Sequence, residues 1–369
     1  MSSSPPKLLG VPVIEHTDGE TRASWDDGAV VATLRSLTID HDDVRAELTV
    51  TTSVPPEGTL VWGKVNLGSV PSRSAVVKTL EERFPGFDWQ GALMQVAYAA
   101  VLRLRKGEPA QDLDTVSPRP SRWVLYPYVE SGGPTIMYAA GASGKSILAL
   151  AMAVTMTTGQ PLVGRPYTTC NVLYLDWETD AETHAERLAA LRAGHNLKPG
   201  PGKIFYKRMS APLPDSVEQV RTEVQEHKTL VTVVDSVSFS AGGDLNEAHC
   251  ATRFYGAMRQ VRTNWLLVSH TRKDSTGSDS PDSLFGSVFW FNSARLVWQV
   301  ESTREPGEPL IHLHLVQRKA NNTDFAKPHG FYLHFESSNG LLRKLQLMPE
   351  DAAWKPYQSG SSGSSKKGR

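Results

Sequence analysis

Cysteine is nearly absent from this 369-residue sequence, which has only Cys170 and Cys250. Two thiols cannot build a disulfide framework, and their positions match no metal-ligand spacing, so they fit a reducing cytoplasm rather than an oxidising exterior. Net charge is absent too. Lys and Arg together number 39, as do Asp and Glu, which excludes a strongly basic polyanion binder and leaves any nucleic-acid contact to local patches. No apolar run reaches the roughly 18 residues of a membrane span, and the start MSSSPPKLLG lacks the apolar segment of a signal peptide. A membrane partner is therefore not expected.

What is present is ordinary globular material, 40% apolar and 21% charged, in a chain long enough for two domains. Residues 1–22, polar and rich in Pro and Ser at their start, read as a mobile arm. Residues 23–106 read as a small α+β domain suited to oligomerisation or to docking a partner or DNA. In it, Ala29 to Ser53 alternates apolar and polar like a β-hairpin, Thr59 to Leu67 reads as a third strand, and helical spacing covers 72–83 and 88–105. Nothing in this part looks catalytic. The Pro/Asp/Gly/Ser-rich segment 107–121 reads as a linker.

From Trp123 onward strands and helices alternate. Strands are expected near 134–139, 171–176, 203–207, 229–235, 264–269, 294–300, 309–318 and 331–336, with helices near 145–158, 180–193, 215–227 and 246–262. Such alternation predicts an α/β domain over 122–350, a mostly parallel sheet covered by helices on both faces with a late antiparallel extension. Residues 351–369, ending SGSSGSSKKGR, read as a flexible tail.

The stretch Ala139 to Ile147, AAGASGKSI, joins an apolar strand to an apolar small-residue helix. A strand, a Gly-rich turn and a helix N-terminus bring unpaired N–H groups and the positive end of the helix dipole to one point, which suits a nucleotide phosphate. The P-loop pattern is matched by Gly144-Lys145-Ser146 with Gly141, Ala142 and Ser143 inside the loop, while Ala139 occupies the position where the pattern has its first Gly. Lys145 would meet the β/γ-phosphates of ATP and the Ser146 hydroxyl the Mg²⁺.

Three later strands end in polar groups. Asn171 to Glu178 delivers carboxylates to the carboxyl edge of the sheet, where ligands of open α/β sheets bind. Glu178 there can orient or deprotonate a water, with Asp176 as its rival and a helix-cap role as the alternative. Leu230 to Ser236 has the Walker B form, an apolar strand bringing Asp235 to the Mg²⁺ shell. Trp265 to Asp274 ends its apolar run at His270, placed to sense a γ-phosphate, and is followed by the polar stretch Ser275 to Phe285, expected to be mobile. Arg295 opens one strand and Arg318 and Lys319 close another, all placed to neutralise phosphoryl charge in cis or from a neighbouring subunit. His312 and His314 form an H-x-H without an evident third ligand, and no metal site is assigned to them.

The set AGASGKS, VLYLDWE, VVDS, SHTRKD, FGSVFWFNSAR and QRKANN, in that order over residues 122–340, resembles the RecA-like P-loop ATPases typified by RepA-type hexameric replicative helicases. Residues 1–106 match none of the primase or loader domains that accompany such motors. The resemblance implies a RecA-like sheet and ATP with Mg²⁺ as ligands, Lys145 and Ser146 at phosphate and metal, and Ile147 beside them. It implies Glu178 as catalytic carboxylate, Asp235 as second metal group and His270 as sensor. Arg295 becomes a finger acting across a subunit boundary, with Arg318 and Lys319 near the neighbour's nucleotide.

The function so implied is an ATP-hydrolysing motor on single-stranded DNA, assembled as a hexameric ring or helical oligomer. Arg272, Lys273 and the 275–285 stretch would face the DNA, and Phe285, Phe289, Trp290 or Phe291 could stack on bases. A replication or recombination partner could dock on 23–106, and the setting would be the cytoplasm of a bacterial or phage-infected cell. Alternatives are a recombinase-like or clamp-like DNA-binding ATPase that does not unwind, and a nucleotide-gated assembly module with slow turnover.

Overall fold

The computed structural model describes residues 10–17, 19–40, 43–107, 110–119, 121–273, 279–284, 286–305 and 307–350, the side chains of 39–40, 272–273 and 279–284 excepted. The chain divides into two compact units, Met1–Pro118 and Arg119–Arg369.

The first unit is an antiparallel meander, β1 (Val13–Thr17), β2 (Glu20–Trp25), β3 (Val30–Asp40), β4 (Asp43–Thr52) and β5 (Gly58–Asn66), with strands in sequence order. Period-2 alternation sends Ala32 and Leu34 of β3 and Ala46, Leu48 and Val50 of β4 to the buried face. Two helices, α1 (Val70–Arg83) and α2 (Trp89–Lys106), contribute Leu80, Leu93, Val96 and Ala100 to the same core. Ser69 and Asp88 cap them by accepting hydrogen bonds from Ser72 N and Gly91 N. Trp25, Phe84, Phe87 and Trp89 close the core with edge-to-face and tilted ring contacts. The expected arm over 1–22 needs correction: residues 13–17 and 20–22 are sheet, because Thr21 and Ala23 alternate inward with Trp25 despite the polar residues between them. Residues 1–9 lie outside the described residues.

The second unit opens with β6 (Trp123–Tyr126) and β7 (Val129–Glu130), then β8 (Thr135–Ala139), α3 (Lys145–Thr158), β9 (Arg165–Pro166), β10 (Asn171–Asp176), α4 (Ala181–His195), β11 (Ile204–Arg208), α5 (Val217–Glu226) and β12 (Thr229–Asp235). It continues with α6 (Val237–Ser240), α7 (Ala248–Arg259), β13 (Asn264–Lys273), β14 (Asp279–Leu284), α8 (Val288–Ser293), β15 (Leu296–Thr303), β16 (Leu310–Ala320), β17 (His329–Ser338) and β18 (Leu341–Pro349). The main sheet runs β11-β10-β12-β13-β8-β15-β16-β17-β18, with β14 paired to β13. Strands from β11 to β15 are parallel, and β16, β17 and β18 are antiparallel. Helices fall on both faces, against two separate cores. This is the RecA-like α/β layout that the sequence resemblance implies.

Two features position the site. Twelve of the fourteen residues of α3 are buried, so this helix is apolar all round and central rather than amphipathic. It packs on one face of the sheet, in one core with Leu313, Leu333, Leu345 and Leu347 of the antiparallel extension. Truncating Leu148 inside it would cost about 2–5 kcal/mol.

The second feature is the cover over β18, the last strand of the sheet. Glu186 Oε1 of α4 accepts a hydrogen bond from Leu342 N (2.6 Å) and His195 Nε2 one from Leu347 N (2.7 Å), while Gln346 Nε2 donates to Gly194 O (3.1 Å). Backbone donors at a sheet edge are thereby paired with side chains.

Candidate active site

The register of the parallel strands brings the candidate residues to one edge. Ala139 ends β8 opposite His270 of β13, and Asp235 ends β12 opposite Asp176 of β10. The loop from Ala140 to Gly144 lies at this edge and leads into α3. Gly144 has φ 83° and caps α3 without a side-chain bond, leaving the first N–H groups of the helix free of side-chain capping. A Cβ at Gly144 would be strained by that φ and would lie 3.2 Å from Leu333 Cδ2. Ala142 also takes a left-handed φ of 57°, a conformation that costs an alanine about 1 kcal/mol or more and clusters at ligand sites. Ser143 is buried, and its Oγ has no hydrogen-bond partner among the described residues.

Lys145 is buried at the first turn of α3, and its Nζ donates to Ala140 O at 3.3 Å. Burial lowers its pKa, while the Asp235 and Glu178 carboxylates pull it back up. Asp235 is 2% exposed. Its Oδ2 accepts a 2.7 Å hydrogen bond from Tyr174 Oη, and its Oδ1 is buried with no partner of standard geometry. Burial raises its pKa, and hydrogen bonding from Tyr174 and the nearby Ser146 hydroxyl only partly offsets that. An Asp235 oxygen without a standard hydrogen bond, an unpartnered Ser143 hydroxyl, Ser146 and a desolvated Lys145 make a donor and acceptor set that fits a phosphate with a hard divalent cation such as Mg²⁺.

Asp176 and Glu178, the two carboxylates that the sequence left open, differ in their surroundings. Asp176 accepts hydrogen bonds from Glu178 N, Thr179 N, Thr179 Oγ1, His184 Nε2 and Tyr206 Oη at 2.6–3.2 Å. Burial alone would raise its pKa, but His184, Thr179 and the backbone donors hold it well below the usual carboxylate range. Its lone pairs are spent on framework. Glu178 is exposed, and its Oε1 accepts from Ser236 Oγ and lies 3.5 Å from His270 Nε2. The His270 contact first, then Ser236 and Lys145, hold its pKa below the ordinary value against the effect of burial. The helix-cap alternative falls to Asp180, whose side chain accepts from Thr183 N at 2.7 Å. Trp177 turns to the other face and donates to Ala211 O.

Lys145, Ser146, Asp235, Glu178 and His270 therefore meet at one edge, with Gly141, Ala142, Ser143, Gly144 and Ile147 in the loop and first turn beside them. Arg295 and Lys319 do not join them. Arg295 N donates to Pro134 O at the opposite end of β8, about 16 Å away for a five-residue strand. Lys319 pairs in register with Val297, donates to Phe291 O and Asn292 O, and lies 5.4 Å from the centre of the Phe291 ring. Arg318 sits in a bulge between those registers; its Nε donates to Gln299 Oε1 at 2.6 Å and its Nη2 lies 3.9 Å from Glu301 Oε1, toward the end of β15 that is level with Ala139.

The expected stacking residues also divide. Trp290 is core, donating to Leu245 O between Phe254 and Tyr255. Phe291 is partly buried, and Phe289 is exposed. Within the stretch expected to be mobile, Asp279–Leu284 is a strand pairing with β13. Residues 275–278, Phe285 and the side chains of Arg272 and Lys273 lie outside the described residues.

Sequence reasoning missed Tyr174 and Ser236, while Ser143 was already placed in the phosphate loop. Tyr174 left a signal, being a polar-tipped residue in an apolar strand on the same face as Asp176.

Comparison with known proteins gives two results. A family model described as AAA domain matches residues 99–276, a span that holds the loop, Glu178, Asp235 and His270; it supports reading the second unit as a P-loop ATPase domain. Among solved structures, the chain is similar to the KaiC-like protein PH0186 from the hyperthermophilic archaeon Pyrococcus horikoshii OT3, at TM-score 0.40 and 12% identity, covering 61% of this chain and 94% of that one. No curated protein matches the sequence.

Proposed function

We propose that the chain is a Mg²⁺-ATP-dependent oligomeric motor acting on single-stranded DNA, a translocase or helicase of RepA type that hydrolyses ATP at subunit interfaces. The observation that carries the hydrolytic half is Glu178, exposed to solvent and held by Ser236 and His270 beside buried Lys145.

In this reading Lys145 and the loop N–H groups bind the phosphates, and Ser146 and Asp235 hold the cation, which when bound neutralises charge on the phosphoryl oxygens. Glu178, kept ionised at neutral pH, accepts a hydrogen bond from the attacking water and orients it. His270 reports on the γ-phosphate because it already touches Glu178. The DNA half is supported by chain continuity: β13 runs on from His270 to Lys273 and returns as β14, so the stretch that would touch DNA starts at the sensor. The interface half is supported by the distance of Arg295 from its own loop, which leaves it available to a neighbouring copy.

The test is Lys145→Ala in the full chain, with ATP hydrolysis measured with and without single-stranded DNA. Hydrolysis should be lost, and wild-type hydrolysis should rise with DNA. An active Lys145→Ala enzyme overturns the hydrolytic site. If single-stranded DNA neither binds nor stimulates, the motor reading falls and a nucleotide-gated assembly module takes its place. Hydrolysis and DNA binding without strand displacement would indicate a clamp-like ATPase instead.

A further inference from the structure

Asp235 needs an orientation as well as a position. A carboxylate has two oxygens, and in a buried site the one that meets a cation is decided by what holds the other. On β12 nothing in the sequence neighbourhood of Asp235 does this, since Val233, Val234 and Val237 are apolar and buried. The partner comes from the adjacent strand. Tyr174 of β10 is 1% exposed, and its hydroxyl lies 2.7 Å from Asp235 Oδ2 and 3.5 Å from Ser146 O. One proton serves both directions, so the shorter contact with the charged acceptor takes it. The ring is fixed in turn by packing at 4.6 Å against His184, which is anchored on Asp176.

We propose that Tyr174 is a positioning residue for the metal shell: by occupying Asp235 Oδ2 it leaves Oδ1 as the oxygen that faces the cation beside Ser146. A hydroxyl that merely satisfies a buried carboxylate for stability would make the same 2.7 Å contact, so the two readings part at the Mg²⁺ dependence of nucleotide binding. The other oxygen, Oδ1, has no partner of standard geometry, and the Ser146 hydroxyl at the start of α3 is close enough to lower the Asp235 pKa. The proposal rests on the reading of this edge as a Mg²⁺-nucleotide site.

The test is calorimetric titration of ADP into the full chain, in EDTA and across a series of Mg²⁺ concentrations, for wild type, Tyr174→Phe, Asp235→Asn and the double variant. Tyr174→Phe removes one hydroxyl and keeps the ring against His184. Its metal-free ADP affinity should stay within about twofold of wild type, and the Mg²⁺ concentration giving half the metal-dependent gain should rise about tenfold, as expected for the loss of one hydrogen bond to a charged group. In the Asp235→Asn background, Tyr174→Phe should change neither quantity by more than about twofold, because Tyr174 acts only through Asp235. Equal loss of affinity in EDTA and in Mg²⁺, an additive double variant, an unshifted Mg²⁺ dependence, or a Tyr174→Phe chain that unfolds in EDTA would each overturn the proposal. Wild-type protein that binds ADP identically with and without Mg²⁺ would overturn the underlying site reading instead, and is recognised because it involves no variant.

Discussion

Asp176 and Asp235 end adjacent parallel strands and face each other in register, yet they have opposite surroundings. Asp176 accepts from five donors and has a depressed pKa. Asp235 accepts one short hydrogen bond from Tyr174, has an oxygen with no partner of standard geometry and has a raised pKa. The difference separates a carboxylate engaged by five donors at the strand end from one that, in the proposed function, meets a cation. A buried acceptor left open lowers stability unless something binds there. Its persistence at a strand end beside a phosphate loop therefore points to use.

The largest expected effect breaks the comparison on the Asp235 side. Asp235→Asn should lower ATP hydrolysis about a hundredfold or more, since charge at the metal shell contributes several kcal/mol to the transition state, while the urea midpoint stays near that of wild type. Next is the Asp176 side. Asp176→Asn should cost about 3 kcal/mol of stability at neutral pH, because its donors are left partly unpaired in a buried place, read from urea unfolding at unchanged slope.

Acidification sharpens the same contrast. A depressed carboxylate contributes stability that is complete above its unfolded pKa of about 4 and is lost as pH falls through the lower folded value. The gap between wild type and Asp176→Asn should accordingly narrow below about pH 4. The smallest effect concerns the third carboxylate. Ser236→Ala removes one hydrogen bond from Glu178 and should slow hydrolysis by about three- to tenfold, an energy of about 1 kcal/mol, with ATP affinity unchanged in a filter-binding assay. If Ser236→Ala instead lowered stability as Asp176→Asn does, Glu178 would belong with the framework.

The central strands and helices were legible because their apolar runs are long and alternate by type. The expected strands at 171–176 and 229–235 and the expected helix at 145–158 coincide with β10, β12 and α3. β6, β7 and β9 escaped notice because they have two to four residues, too few to show a period. β18 escaped because its burial is partial and comes from α4, 150 residues away in sequence. The loop, Glu178, Asp235 and His270 were readable as residue types at strand ends. The roles of Asp176 and Glu178 were not, because the partners that distinguish them, His184, Tyr206, Ser236 and His270, arrive from four other segments. The same reason hid Tyr174, whose significance lies across the sheet rather than along the chain.

The cover that α4 places over β18 also bears on colloidal behaviour. An uncovered outer strand is a template on which another chain can add. Here one cover is an imidazole that accepts from Leu347 N, which it can do only while neutral, and burial lowers its pKa. That contact stabilises the fold fully above about pH 6.5 and is lost as pH falls through the lowered value. Below it, the molecule would present a fresh strand edge to its neighbours, so light scattering that rises in mild acid, before the core melts, is the form in which His195 would declare itself.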